Sequence, residues 1–350
     1  MVVSCTLSVG REVDNGNSGL LGERNLIPRL CACLLSVAIA FSLNPPKNAP
    51  LPQTSATFSV DEGDLHKPLT VVAYGDMRFT DPANHDATNP TARQALVARI
   101  ALEKPDAVLL NGDVPWHGGD KADYSVYQTE TAAWRTNHLR VFAALGNHEF
   151  SRCEIPQCLE NWWTAFPELR DHRWYSVALG RQLYAIALDS DTSLLPGSDQ
   201  RQWLETQFAS LSASVRFVLI TMHHPPMADI QKNFSVDHNP RPNEMALADF
   251  LKSAAVTSKA RFLVSAGHIH NYERFLQDDV VYLVSGGGGA HPYPVERTPS
   301  DLYQDSSFPN FHYVKLVLEG NTLKGTMYRL DPGADTPTWQ EKDTFQIRAR

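Results

Sequence analysis

The stretch GHIHNYER, residues 267–274, decides how the rest of this sequence is interpreted. It directly follows an apolar run, residues 261–265, whose length and composition predict a buried strand. Two histidines separated by one residue do not share a helix face, but in a loop at the end of a strand both imidazoles can face one point. Neutral imidazole is the commonest metal ligand in proteins. His268 and His270 are therefore candidate metal ligands.

Four further apolar runs end in side chains that can bind metals. The runs cover residues 69–74, 107–110, 141–145 and 217–222, and they lead into GDMR (75–78), NGD (111–113), GNHE (146–149) and HHPP (223–226). In an open α/β sheet, ligands bind outside the carboxyl ends of the strands. The carboxylate, amide and imidazole donors at these five strand ends suffice for two adjacent divalent ions.

The pattern between these runs predicts a layered α/β domain. Helices are expected at residues 90–103, 121–136, 199–210 and 242–256, and further strands at 174–179, 182–188, 280–285, 311–318 and 323–329. Helices alternate with strands early in the chain, whereas strands follow one another late. This order is typical of two stacked sheets with helices outside.

The ordered series GD, GD, GNHE, HHPP and GHIHNYER resembles the motifs of the calcineurin-like metallophosphoesterases. The GNHE and GHxHxYER forms resemble the purple acid phosphatase branch of that superfamily. The resemblance implies an α/β fold, a four-layer αββα sandwich with two stacked mixed β-sheets. We assign residues 66–330 to the catalytic domain and residues 331–350 to a C-terminal tail.

The resemblance also implies a dinuclear centre, whose two divalent or trivalent ions are Fe, Mn or Zn, because Asp, Asn and His donors accept all three. Its residues divide between two metals: Asp76 and His270 at the first, Asn147, His223 and His268 at the second, and Asp113 at both. A carboxylate has two oxygens and can bridge ions at the ~3.5–4 Å spacing used for in-line displacement at phosphorus. The tyrosine that colours the purple branch does not follow Asp76 at the family spacing, so we expect a colourless protein.

Three residues are candidates for roles other than metal binding. His148 directly follows a ligand and, by the resemblance, stabilises the transferred phosphoryl group or protonates the leaving oxygen. His224 is expected to line the substrate side. Arg78 stands where the family motif D-x-H has a histidine; a guanidinium cannot donate a lone pair, so we expect it to offer its donors to substrate oxygens.

His85 is an alternative metal ligand, although a solvated loop histidine is the favoured interpretation.

Two neighbouring motifs are interpreted as supports. Tyr272, Glu273 and Arg274 are expected to hold the histidine loop rather than to bind metal. The run Gly286–Gly289 lacks the Lys-Ser/Thr of a phosphate-binding loop, so it is interpreted as a close-packed turn near the site.

The first 50 residues differ from the rest of the chain. Arg24 and Arg29 precede an apolar run, residues 30–41, that is typical of an export signal and short for a membrane span; the alternative is a start codon placed too early. A Pro-rich tether follows, so residues 1–50 are assigned to signal and tether. In an exported protein Cys153 and Cys158 could form a local disulfide; otherwise they remain two thiols.

Charge and motifs together indicate the function. Residues 1–50 carry four basic and three acidic side chains, so the remainder has a formal charge of −9 against −8 for the whole chain. Such an acidic body argues against nucleic-acid binding. The expected activity is hydrolysis of a small phosphorylated substrate, most simply a phosphomonoester, by attack of metal-bound hydroxide in line at phosphorus. The alternatives are a phosphodiesterase or nucleotide/pyrophosphate hydrolase of the same fold, and a catalytically silent binding module.

Overall fold

The apolar runs of the sequence form the strands of two mixed β-sheets. The computed structural model describes residues 56–231, 238–331 and 336–350, and the expected signal and tether lie outside these ranges. The strands are β1 (Phe58–Val60), β2 (Leu69–Tyr74), β3 (Ala107–Leu110), β4 (Val141–Ala143), β5 (Tyr175–Leu179), β6 (Leu183–Ala187), β7 (Phe217–Met222), β8 (Arg261–Ala266), β9 (Tyr272–Gln277), β10 (Val280–Ser285), β11 (His312–Glu319), β12 (Thr322–Leu330) and β13 (Trp339–Arg348). The helices are α1 (Pro90–Glu103), α2 (Lys121–Glu130), α3 (Ala132–Thr136), α4 (Ile155–Ala165), α5 (Asp199–Ala209) and α6 (Pro242–Thr257).

Each sheet combines a parallel part with an antiparallel part. The seven-stranded sheet has the order β1-β5-β6-β7-β8-β10-β9, in which β6, β7, β8 and β10 run parallel. The six-stranded sheet has the order β13-β12-β11-β2-β3-β4, in which β2, β3 and β4 run parallel. The predicted fold class, two mixed sheets with helices, is confirmed.

Side-chain alternation along β7 shows how the layers are built. Phe217 and Leu219 belong to a core cluster that also contains residues of the other sheet, such as Val71. Val218 and Ile220 belong to a second cluster, which they share with helices α5 and α6. Successive strand residues point to opposite faces, so a strand covered on both faces is apolar throughout. The continuous apolar run that predicts β7 therefore reflects a sheet that lies between the other sheet and a helix layer.

Three segments differ from the sequence-based expectations. The expected catalytic domain begins at residue 66, but β1 already pairs with β5 in the seven-stranded sheet. The assignment of residues 331–350 to a tail is wrong for its described part, because β13 pairs with β12 along Trp339–Arg348. The expected helix over residues 121–136 is interrupted at Thr131, whose hydroxyl bonds back to the carbonyl of Tyr127, a contact that competes with helical geometry. Among the described residues, no helix has the length and apolar character needed to cross a membrane.

His312 joins the two sheets close to their carboxyl ends. It lies at the start of β11, and its Nε2 is 3.1 Å from the hydroxyl of Ser285 at the end of β10, while its Nδ1 is 2.9 Å from the carbonyl of Asn310. Burial lowers the pKa of His312 to about 4. The folded protein therefore holds this imidazole neutral at pH values where the unfolded chain protonates it.

We expect His312 to make the free energy of unfolding depend on pH. Between pH about 6.5 and about 4 the unfolded chain binds a proton that the folded chain does not, so stability falls as the pH decreases through this window, by up to about 3 kcal/mol. Urea unfolding of the chelator-treated protein at several pH values measures this. The His312→Gln variant should lose less stability between neutral and acidic pH than the wild type, and parallel curves for the two proteins would refute the assignment.

Candidate metal centre

The carboxyl ends of five strands bring the expected metal ligands together. Asp76 follows β2, Asp113 follows β3, Asn147 follows β4, His223 follows β7, and His268 follows β8. His270 lies two residues beyond His268, before β9 begins. Both sheets contribute, because β2, β3 and β4 belong to the six-stranded sheet and β7 and β8 to the seven-stranded one.

Three of these side chains converge on the Nε2 atom of His223, so that four donors lie together. That atom lies 2.9 Å from Asn147 Oδ1, 3.2 Å from His268 Nδ1 and 3.2 Å from Asp113 Oδ1. Four donors that bind one ion at ~2.0–2.1 Å in tetrahedral geometry lie about 3.3 Å from one another. The spacing therefore fits donors arranged around a cation. The other nitrogen of His223 faces the carbonyl of Asn111 at 3.0 Å, which fixes the ring.

A second group, Asp76 with His270, lies beside the first. His270 Nε2 is 3.5 Å from Asp76 Oδ1, and this buried nitrogen makes no hydrogen bond. Its Nδ1 lies 2.7 Å from the carbonyl of His291, so Nδ1 carries the proton and Nε2 presents a lone pair. Asp76, Asp113 and His223 have ligand atoms within 4.8 Å of one another, so the Asp113 carboxylate is close to both groups. An unpartnered lone pair facing a carboxylate fits a cation at this position.

The electrostatics of the buried side chains favour metal binding. Burial lowers the pKa of His270 to about 3 and that of His268 well below its usual value, so both rings are neutral at physiological pH. Burial alone would raise the pKa of Asp113, but His223, His148 and Arg78 around it hold that pKa below its usual range. Burial raises the pKa of Asp76 to about 7. A cation beside Asp76 would offset this cost of burying its charge.

The backbone that carries these side chains is strained. Asp76, Arg78, Asp113 and His268 all have positive φ angles, between 49° and 70°. Non-glycine residues with such angles are uncommon and cluster at functional sites. The conformation turns the side chains away from the course of their strands and toward one another.

Glu149 holds two of the ligand loops together, a role that the sequence did not reveal. Its fully buried carboxylate accepts hydrogen bonds from the backbone N–H groups of Asp113 at 3.0 Å, Val114 at 2.8 Å and Gly146 at 2.8 Å. Tyr293 acts similarly, since its hydroxyl accepts from the N–H of His270 and donates to the carbonyl of His268, both at 2.9 Å.

The residues after the histidine pair anchor the loop to β13. Arg274 binds Asp343 through two hydrogen bonds, Nε at 2.6 Å and Nη2 at 3.0 Å, and the hydroxyl of Tyr272 binds the same carboxylate at 2.9 Å. Glu273 accepts from the N–H of Asp229 at 2.9 Å. These contacts agree with the expected supporting role, and the segment assigned to a tail supplies the partner carboxylate.

The glycine run after β10 is close-packed against the same site. A Cβ atom on Gly286 would lie 2.2 Å from the carbonyl oxygen of Ile269 and 2.8 Å from Asp76 Oδ2, and Gly288 donates its N–H to the carbonyl of Gly75 at 2.9 Å. The interpretation as a tight turn agrees with this packing. A few residues after the GNHE motif, Cys153 and Cys158 form a disulfide.

The three residues expected to act on substrate occupy different environments. His148 is half-buried, with Nδ1 2.6 Å from the carbonyl of Trp116 and Nε2 3.8 Å from Asp113 Oδ2. Arg78 is paired with Asp113, its Nη2 lying 3.2 Å from Oδ2. His224 is buried: its Nδ1 contacts the hydroxyl of Ser190 at 2.8 Å, and its ring packs on that of His268.

His224 therefore differs from what the sequence indicated, whereas His85 does not. We expected His224 to line the substrate side, but its side chain is only 5% exposed and its ligand atoms lie with those of His223 and His268. Its pKa is lowered to about 2, mainly by burial. His85 is exposed and is absent from the candidate metal-binding groups found among the described residues.

Comparison with known proteins places this geometry in context. The family model of the calcineurin-like phosphoesterases matches residues 63–280. The chain is 28% identical over 200 residues to the probable purple acid phosphatase 20 of Arabidopsis thaliana, an alignment that covers 51% of this chain and 44% of the relative. The chain thus spans less than half of that relative's length. This relative supports the purple acid phosphatase-like branch.

Solved structures share the fold at low sequence identity. A purple acid phosphatase from seeds of yellow lupin, Lupinus luteus, superposes with a TM-score of 0.63 at 19% identity over 81% of this chain and 54% of that chain. A dimetal phosphatase from Danio rerio superposes with a TM-score of 0.55 at 15% identity over 81% of this chain and 100% of that chain.

Proposed function

This chain belongs to the calcineurin-like phosphoesterase family, and from that premise we propose that it is a metal-dependent hydrolase of phosphate esters with a preference for monoesters. The observation that supports this proposal most strongly is the convergence of Asn147, His268 and Asp113 on His223 Nε2, beside the pair Asp76 and His270. The preference for monoesters draws on the phosphatase names of its plant relatives.

The donors would hold two metal ions, and Asp113 would contribute to both sites. When bound, the ions would supply the positive charge that acidifies water and neutralises the oxygens of a phosphoryl group. Iron, manganese and zinc all suit this donor set of oxygen and nitrogen atoms. The chain itself holds these side chains in place. The N–H of Asp113 donates to Glu149, and a separate backbone carbonyl fixes each of the rings of His223 and His270.

His148 is placed to act on the substrate rather than on the metals. The carbonyl of Trp116 accepts the proton of Nδ1, so Nε2 is the nitrogen that faces the centre, 3.8 Å from Asp113 Oδ2. A protonated ring in this position would neutralise charge on the transferred group or give a proton to the leaving oxygen. The half-buried position allows contact with both solvent and substrate.

Arg78 supplies positive charge that the acidic body lacks. Its guanidinium lies against Asp113 and over the ring of Trp116, with Cζ 5.2 Å from the ring centroid. An arginine presents five N–H donors in one plane, which suits phosphate oxygens. Because it pairs with the shared carboxylate, it also competes with a cation for Asp113 Oδ2. We therefore propose that the first metal binds more weakly than the second.

We expect Arg78→Ala to retain bound metal and to raise KM for phosphate monoesters by about tenfold, because the substrate loses one charge-assisted contact. Steady-state kinetics together with metal analysis measure both effects. The matched control is Arg181→Ala, which removes an exposed arginine at the turn between β5 and β6. An unchanged KM in Arg78→Ala would mean that the arginine only fills space.

A substrate panel tests the proposed specificity. The metal-loaded protein should hydrolyse para-nitrophenyl phosphate faster than bis(para-nitrophenyl) phosphate, a nucleotide or pyrophosphate. Faster hydrolysis of one of the last three would favour the diesterase or nucleotide hydrolase instead. Absence of turnover on every substrate, with metal bound, would favour a binding module, although the donors and His148 at the site argue against that function.

We also propose that the protein is exported. The basic and apolar pattern of residues 24–41 supports a signal, and the disulfide between Cys153 and Cys158 is typical of proteins in oxidising compartments. Cell fractionation with detection of the protein tests this proposal. Retention of the protein in the cytosol with both thiols reduced would contradict it.

A further inference from the structure

We propose that Trp116 is a positioning residue that holds the guanidinium of Arg78 and the imidazole of His148 in a fixed relation to each other. The inference rests on the proposed function, since it concerns how the substrate-binding charge and the rim histidine are set at one site. No motif singled Trp116 out, although it lies only three residues after Asp113.

The indole ring of Trp116 contacts both functional side chains. Arg78 Cζ lies 5.2 Å from the ring centroid, within the range of a cation–π contact. The ring of His148 stacks on it with the centroids 4.8 Å apart and the planes at 26°. The ring of His117 also packs on the indole, with a centroid distance of 4.8 Å. One aromatic side chain therefore packs against a guanidinium and two imidazoles.

The backbone of Trp116 contacts His148 and the neighbour of Arg78. Its carbonyl lies 2.6 Å from His148 Nδ1, and its N–H donates to the carbonyl of Phe79, the residue after Arg78, at 3.0 Å. The N–H of Arg78 in turn donates to the carbonyl of Asp113 at 3.0 Å. The segments 78–79 and 113–116 are thus joined along their length, which prevents Trp116 from moving independently of Arg78.

The segment after Trp116 is joined to the His148 loop. Gly118 donates its N–H to the carbonyl of His148 at 2.8 Å, and a Cβ atom at Gly118 would lie 1.7 Å from the carbonyl oxygen of Glu149. His117 adds a contact of 2.9 Å between its Nδ1 and the hydroxyl of Ser151. The indole is therefore held from both directions, as a fixed surface against which Arg78 and His148 rest.

A fixed surface matters because a free arginine side chain loses conformational entropy when it binds an anion. Holding the guanidinium in advance removes part of that cost. The same surface limits rotation of His148, whose Nδ1 is held by the carbonyl of the same tryptophan. Loss of the indole should therefore weaken substrate binding through Arg78 and slow turnover through His148.

The test compares Trp116→Leu with Trp116→Phe, with the double variant Trp116→Leu/Arg78→Ala and with a control. The control is Trp163→Leu, which removes a tryptophan of α4 that carries the guanidinium of Arg170 at 5.8 Å. We measure kcat, KM and metal content, and the affinity for orthophosphate by calorimetry. Orthophosphate binding provides a readout that does not depend on turnover.

We expect Trp116→Leu to raise KM, to weaken orthophosphate binding and to lower kcat, each by about tenfold, with metal content unchanged. Trp116→Phe keeps an aromatic face, so its KM, phosphate affinity and kcat should lie close to the wild-type values. The control should match the wild type. The double variant should have the KM of Arg78→Ala alone, since the indole acts on KM through the arginine.

Three results would overturn the inference: wild-type kinetics and phosphate affinity in Trp116→Leu, independent and multiplicative effects of the two substitutions on KM, or no rescue by phenylalanine. If Trp116→Leu does not fold, Trp116→Phe and the double variant Trp116→Phe/Arg78→Ala decide the question. The smaller ring should leave a small rise in KM that is absent when Arg78 is replaced, and a rise that persists without Arg78 would overturn the inference. A wild-type protein that hydrolyses no phosphate ester would contradict the proposed function, whereas the orthophosphate comparison would still test Trp116.

Discussion

Replacement of Asp113 by alanine is expected to abolish the metal centre and nearly all activity. Its Oδ1 lies 3.2 Å from His223 Nε2, and its ligand atoms also group with those of Asp76, so both candidate metal positions depend on this carboxylate. We expect Asp113→Ala to bind neither metal tightly and to lower kcat/KM by about a thousandfold or more, since a shared ligand contributes several kcal/mol of charge stabilisation.

Metal content and phosphatase kinetics measure this effect, and thermal unfolding confirms that the variant is folded. Asp249→Ala, which removes an exposed aspartate of α6, is the matched control and should behave like the wild type. Survival of one metal with substantial turnover in Asp113→Ala would show that the two sites do not share this ligand.

Replacement of His148 by alanine should separate chemistry from metal binding. The ring faces the centre through Nε2 but lies 3.8 Å from the nearest oxygen of Asp113, and it is held by the carbonyl of Trp116. We expect His148→Ala to lower kcat by about a hundredfold, because a positioned acid or charge stabiliser usually contributes that much. Metal content should change little.

The control for this variant is His85→Ala, because His85 is an exposed histidine that the sequence left open as a metal ligand. It should retain both metal and activity. If His148→Ala lost metal in proportion to activity, His148 would be a ligand and not a group that acts on the substrate.

The fold could be predicted where strands are buried on both faces. β2, β3 and β7 have the bounds expected from their apolar runs, because every residue of such a strand contacts one apolar layer or the other. β13 could not be found in this way. Ile347 is its only fully buried residue, so the strand has no apolar run, and its place at the edge of the sheet depends on pairing with β12.

The residues that converge at the candidate metal centre could be predicted because their side chains follow strands in recognisable motifs. Residues that orient them through contacts distant in sequence could not. Asp343 binds Tyr272 across 71 residues, and the hydroxyl of Tyr293 reaches the carbonyl of His268 across 25. Trp116 lies beside the GD motif, but its effect on Arg78 and His148 depends on ring geometry. The burial of His224 was also missed, since Ser190 approaches it from another loop.

A titration of the metal-free protein with a single metal tests whether hydrolysis depends on two bound ions. Chelator-treated protein is titrated with Mn²⁺, Zn²⁺ or Fe²⁺, while bound metal and hydrolysis of para-nitrophenyl phosphate are measured together. We expect no turnover without metal, two ions per chain at saturation, and activity that rises with occupation of the weaker site. Full activity in metal-free protein, or full activity at one ion per chain, would contradict this expectation.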